Sequence, residues 1–229
     1  MDESQMSERR KELYSIINDF SDYLQGGIQG EHSELVERED TSGSRAAQLE
    51  EIAGEVRGCT ACSLHFRRDH AVPGEGVLDP LVMVIGEGPG GEEDKSGRPF
   101  VGRAGQYLDK WLEAIGLSRE SDVFIGNIVK CRPPKNRDPL PEESSACISF
   151  LRRQLEVLRP KSILTVGRIS SQILLNSDFG IGQLRGKVYS FNSIPLVPTY
   201  HPSGVLRNSS LRPAVWEDLK LLRTVYAHE

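Results

Sequence analysis

Residues 81–105 read LVMVIGEGPGGEEDKSGRPFVGRAG. The run Leu81–Ile85 is short, apolar and rich in branched residues, and a glycine closes it, which is the pattern of a strand buried on both faces. Apolar residues resume at three- and four-residue spacing further on and predict a helix over Ala104–Ile115. Between them, glycines let backbone approach a ligand closely, and Glu87, Glu93, Asp94, Lys95 and Arg98 add charge that an ordinary connection does not require. Gly86, Gly88, Gly90 and Gly91 invite a phosphate-binding reading, but Pro89 interrupts the dinucleotide pattern and no lysine stands at the Walker position. The stretch is therefore a strand, a chemically loaded loop and a helix, with no nucleotide cofactor implied.

The same alternation repeats along the chain. Val123–Val129, Ser162–Val166 and Ile194–Pro198 are strand candidates, separated by helical stretches over Glu142–Leu158 and Ile169–Leu175. A last amphipathic helix spans Ala214–Tyr226. Strands alternating with helices predict an α/β fold, a three-layer αβα sandwich around a central, mostly parallel four-stranded sheet. In such sheets ligands bind at the carboxyl ends of the strands, where the polar motifs of this chain lie.

Composition sets the outer limits. The chain has 229 residues, 38% apolar and 27% charged, which suits a folded domain rather than a disordered chain. No apolar run nears the roughly 18 residues that span a bilayer, so no membrane association is expected. The N-terminus lacks the apolar core of a secretory signal and there are four cysteines, so a reducing cytoplasm is the expected compartment. Charge is uneven: residues 1–55 carry 14 acids and 5 bases, net -9, and residues 56–229 carry 19 acids and 23 bases, net +4. The main domain is thus compatible with nucleic acid despite the acidic average. Residues 1–45 read as an acidic arm, with an amphipathic helix from about Ser7 to Leu24 followed by a linker, and residues 46–229 as the functional domain. A second helix, Arg45–Arg57, leads into Cys59, with Gly58 as its stop.

Two further loops carry chemistry. After the second strand, GNIVKCRPPKNRDPL (126–140) gathers Lys130, Arg132, Lys135 and Arg137 around Asn127 and Asn136, and bases beside amides suit phosphate neutralisation and reading of a base edge. After the fourth strand, TYHPSGVLRNSSLRP (199–213) sets His201, Pro202 and Ser203 at its lip. Of the cysteines, Cys59 and Cys62 form a CxxC pair, while fifteen residues separate Cys131 from Cys147. Disulfides do not fit a reducing compartment, and spacing alone leaves zinc and an iron–sulfur cluster open.

Together and in this order, GEGPG with its acids, GRPFVGRAG, NIVKCRPPKNR, the HPS motif and the four cysteines resemble the family 4 uracil-DNA glycosylases, the iron–sulfur branch of their superfamily. The resemblance runs from about Cys59 to the last helix. It implies excision of uracil from single- or double-stranded DNA by hydrolysis of the N-glycosidic bond of a flipped-out deoxyuridine. It also implies a 4Fe-4S cluster on Cys59, Cys62, Cys131 and Cys147, holding the loop that carries Asn127. By the same resemblance Phe100 stacks on the base and Asn127 reads it. His201 is the expected donor to uracil O2. Glu93 and Asn136 are the candidates to orient the attacking water, with Glu87 shaping the same pocket. Gly88 stands where other superfamily members carry a water-activating aspartate, so the chemistry leans on other groups. Lys95, Arg103, Lys130, Arg132, Arg137 and Arg207 are expected to hold phosphates, Ser203 to touch one, and Val205 or Leu206 to fill the gap in the base stack. A monomer is expected, with any protein partner taken through the arm. The rival readings are a noncatalytic iron–sulfur or zinc nucleic-acid-binding protein and a glycosylase of broader deaminated bases.

Overall fold

A computed structural model describes residues 41–227. The Ser7–Leu24 helix and most of the acidic arm lie outside the described residues. Helix α1 (Thr41–Gly58) begins ahead of the expected Arg45 and leads through a 3-10 turn, Ser63–Phe66, to the short strand β1 (Glu75–Gly76). Then follow β2 (Val82–Gly86), α2 (Gly91–Ser96), α3 (Arg103–Ala114), β3 (Val123–Asn127), α4 (Pro141–Leu158), β4 (Ser162–Val166), α5 (Arg168–Leu175) and α6 (Ile181–Leu184). The chain closes with β5 (Tyr189–Phe191), β6 (Ile194–Thr199), α7 (Pro202–Arg207) and α8 (Arg212–Ala227). Among the described residues no helix is long and apolar enough to cross a membrane.

The sheet has six strands in the order β1-β3-β2-β4-β6-β5. Its four central strands are the expected parallel set, β3, β2, β4 and β6. The expectation of four strands is corrected by two short antiparallel edges: β1 pairs with β3, and β5 folds back on β6 through Asn192 and Ser193, both at positive φ. Two successive residues of positive φ match the twist of a tight hairpin.

Period-two alternation places the core on both faces. Met83 and Ile85 of β2 join Phe124, Ile163 and Leu196 against Ile52 and Val56 of α1 and Leu151 and Leu155 of α4. Val82 and Val84 join Ile125, Leu164 and Val197 against Leu108 and Trp111 of α3 and Leu219 and Leu222 of α8. Layering is therefore a consequence of strands apolar on both sides. The chain runs from β2 outward to β3, then returns across β2 to β4 and proceeds the other way to β6, so the order reverses between β2 and β4. Ligand sites of open α/β sheets form outside the carboxyl ends at such a reversal.

Candidate functional site

A cleft of about 550 Å3 opens at that reversal, lined by Glu87, Gly88 and Glu93 following β2, Asn127 at the end of β3, Gly167 and Arg168 following β4, and His201 following β6. Phe100, Asn136, Ser203 and Arg207 complete the expected set within it. Leu206 does not line the cleft; it is 40% exposed on α7. Val205 is 1% exposed in the core, which removes it as a wedge.

Asn127 is fixed by its strand. The β2–β3 ladder ends on the pair Gly86 and Asn127, and the Asn127 side chain is buried there. Its Oδ1 has no hydrogen-bond partner, a costly state for a buried acceptor and one that an incoming donor relieves. A Cβ on Gly86 would lie 2.4 Å from that oxygen and 2.6 Å from Phe100 Cζ, so only glycine permits this approach. Phe100 is itself buried and its ring centroid lies 5.8 Å from that of His201.

His201 caps α7. Its Nδ1 receives the Ser203 backbone N–H at 3.1 Å and lies 2.8 Å from Ser203 Oγ. A backbone N–H only donates, so Nδ1 is unprotonated and the ring proton of the neutral form sits on Nε2. Burial, reinforced by the positive charge of Arg207, pushes the His201 pKa down to about 4. Ser203, expected on a phosphate, is thus committed to orienting His201.

The carboxylates divide differently from expectation. Glu93 accepts the backbone N–H of Gly90 at 3.1 Å, Val101 at 3.0 Å and Gly102 at 2.9 Å, clamping the two glycine-rich turns together. Asn136 Oδ1 accepts from Arg132 Nε at 2.8 Å, which leaves the amide nitrogen, a donor, as its other polar group. The Glu87 carboxylate instead has no hydrogen-bond or ion-pair partner among the described residues, while its backbone carbonyl accepts from Val129 N–H at 3.1 Å, and the residue is half-buried. Burial, with the negative charge of Asp138 nearby, pushes its carboxyl up to about 7. At Gly88 a Cβ would stand 2.7 Å from Val129 Cγ2, so the loop has no room for an aspartate there without shifting Val129.

The basic residues also separate. Lys95, Arg103 and Arg207 are exposed. Lys130, expected on a phosphate, is 1% exposed and donates to Gln154 Oε1 at 2.7 Å, so it faces the interior. Arg137 is paired in two bonds with the buried Glu143 carboxylate. Arg132 lies between Asn136 and Asp94 Oδ2, the latter at 3.9 Å.

The four cysteines are unpaired and line one cavity together with Arg68 and Lys130. Donors already face the sulfurs: Arg68 Nη1 to Cys131 Sγ at 3.1 Å, Lys130 N to Cys147 Sγ at 3.3 Å and Ala61 N to Cys59 Sγ at 3.5 Å. Without a bound metal, burial pushes the Cys131 thiol up and that of Cys147 up to about 11. Four cysteine side chains around one cavity are the donor set that an iron–sulfur cluster uses, and one that zinc also accepts.

Comparison with known proteins agrees with this geometry. The family described as Uracil DNA glycosylase superfamily matches residues 73–220. The chain is 43% identical to the type-4 uracil-DNA glycosylase of Thermotoga maritima over 190 residues, 81% of this chain and 98% of the relative. It is 47% identical to that of Saccharolobus solfataricus over 184 residues, 76% of this chain and 85% of the relative. A family model that matches residues 73–220 and relatives 43% and 47% identical over most of the chain, on a fold whose cleft holds an unsatisfied buried amide, a histidine and a buried aromatic, place the protein in the uracil-DNA glycosylase superfamily, among its type-4 members.

Proposed function

We propose that the protein excises uracil from DNA and leaves an abasic site. What carries this reading is the orphaned Asn127 Oδ1, buried at the end of β3 beside Phe100. The flipped uracil stacks on Phe100. Its N3–H donates to Asn127 Oδ1 and its O4 accepts from Asn127 Nδ2; cytosine presents the reverse pattern at these atoms. His201 Nε2–H donates to O2, where negative charge grows as the N1–C1′ bond breaks. A neutral donor aimed at the developing charge needs no proton transfer. The water oxygen bonds to C1′ while the electron pair leaves with uracil, and the free Glu87 carboxylate is the acceptor placed to orient that water and take its proton. The Asn136 amide is left as a donor at the mouth, and Glu93 shapes the loop rather than the water. Uracil N1 is protonated from solvent.

Cys59, Cys62, Cys131 and Cys147 hold a 4Fe-4S cluster, and the cluster supplies a structural tie between the segment around α1 and the loop that starts at Asn127. Lys95, Arg103 and Arg207 receive backbone phosphates, and exposed Leu206 fills the stack behind the extruded base. Residues 1–40 are not needed for excision and supply any protein contact, whereas Arg45 of α1 belongs to the excising unit through its bonds to Leu78, Asp79, Val157 and Leu158. The protein acts as a monomer in the cytoplasm. The test is a uracil-containing oligonucleotide, single- and double-stranded, assayed for free uracil and an alkali-labile site. Release of uracil supports the reading; binding without release favours a noncatalytic protein, and release of hypoxanthine or xanthine at equal rate favours a broader glycosylase.

A further inference from the structure

Phe100 is a non-glycine residue at φ 51, in the left-handed region that L side chains rarely adopt. Such a conformation persists only where the surroundings over-determine it. The surroundings here meet in one side chain outside the cleft. Arg119, on the loop between α3 and β3, donates from Nη1 to the Pro99 carbonyl at 3.0 Å and from Nη2 to the Phe100 carbonyl at 2.7 Å. These two carbonyls flank the Phe100 φ/ψ pair. The guanidinium is held in turn by Asp109, which takes Nε at 2.9 Å and lies 2.9 Å from Nη2, and by Glu75 Oε1, 3.0 Å from Nη1. A planar fork with fixed donors thereby sets two peptide planes at once, which a point-charge ammonium does not do.

Packing makes the same peptide intolerant of movement. A Cβ on Gly105 would lie 1.7 Å from the Phe100 carbonyl oxygen, so that oxygen rests directly on α3. On the other side the ring sits against Gly86 and beside His201. Arg119 is 13% exposed at its side chain and does not line the cleft.

We infer that Arg119 is a positioning residue for base recognition: it holds Phe100 in the left-handed conformation that presents its ring as the stacking face. This rests on the reading of Phe100 as the stacking aromatic. Removing Arg119 releases the two carbonyls, and the Phe100 backbone relaxes toward the ordinary region. The ring then leaves its place beside Asn127 and His201, although the cleft's other groups remain.

The test uses the full chain with its metal content verified, and measures affinity for two DNA probes: one carrying a noncleavable deoxyuridine analogue and one carrying a tetrahydrofuran site, which has no base to stack. Arg119→Met is expected to weaken uracil-analogue binding about tenfold, within the range a base–aromatic stack contributes, and to leave tetrahydrofuran binding unchanged. In a Phe100→Ala background the Arg119→Met effect is expected to vanish, since the residue acts through that ring. Arg119→Lys keeps the charge between Glu75 and Asp109 and loses the fork, so it gives the same contrast should the methionine variant not fold. Equal loss on both probes, no loss on either, or additivity with Phe100→Ala overturns the inference. If Phe100→Ala itself leaves uracil-analogue binding unchanged, the stacking assignment fails first and the inference falls with it. If Phe100→Ala weakens binding and the Arg119 variants do not, the inference alone fails.

Discussion

Gly86 and Asn127 are the last residue pair of the β2–β3 ladder, and the missing side chain of the first gives room to the unsatisfied oxygen of the second. A methyl group at residue 86 would meet Asn127 Oδ1 at 2.4 Å and the Phe100 ring at 2.6 Å. Both groups proposed to grip the base would therefore move. Gly86→Ala is expected to lower single-turnover excision by on the order of 100-fold, the scale of an ångström-sized misplacement at a reacting centre. A folded variant with the parental rate would show that the pair does not shape the site.

The pH dependence should lack the usual histidine inflection. The His201 pKa is depressed in the folded protein from an ordinary 6.5 to about 4, so its neutral form is favoured by folding. The associated stability is present above pH 6.5 and is lost as pH falls through about 4. Single-turnover excision should show no step attributable to His201 between pH 5 and 8, and His201→Asn should remove the stability loss near pH 4. A His201 titration near 6.5, followed by NMR, contradicts the assignment.

Glu87 has the opposite sign. Its folded pKa is raised from 4.5 to about 7, so its stability contribution is full below pH 4.5 and is lost as pH rises through about 7. Glu87→Gln, which mimics the protonated form, should melt like the parent at pH 4 to 5 and above it at pH 8. The same variant should be slow at every pH, because an amide takes no proton from water. Equal melting-temperature differences at both pH values would place Glu87 in solvent.

The purified protein should be brown and hold about four irons per chain. Cys131→Ala should lose solubility and excision together, since Cys131 lies four residues beyond Asn127 and its neighbour Arg132 bonds to Asn136. Stoichiometric zinc in anaerobically prepared protein, or a stable and fully active Cys131→Ala protein without metal, contradicts the cluster assignment or its coupling to the loop.

Much of the fold was legible because its central strands are apolar on both faces. Five consecutive buried residues in each of β2, β3 and β4 leave a mark that a sequence displays directly. The edges β1 and β5 are two and three residues long, too short to show a period. Helix α2 was hidden because it opens on glycine and is almost wholly polar. In the site, Asn127 and His201 were legible because each follows a readable strand. Lys130 departs from the phosphate role expected of it because a lysine among other bases has the pattern of a solvated group, whereas its ammonium is buried on Gln154 of α4. Arg119 left no trace, since a side chain that bonds to backbone carbonyls requires no particular residue type at its partners. The unpaired carboxylate of Glu87 leaves no mark in the sequence, because it depends on Glu93 and Asn136 being engaged by backbone N–H groups and by Arg132.

The most direct test of the central claim is single-turnover excision of uracil and of cytosine by Asn127→Asp. The aspartate keeps an acceptor opposite N3 and replaces the donor toward O4 with a second oxygen, which inverts half of the reading pattern. The account predicts a steep fall in uracil excision, on the order of 100-fold or more, with the ratio of cytosine to uracil excision rising. Folded Asn127→Asp protein that excises uracil at the parental rate, with its preference over cytosine unchanged, would contradict it.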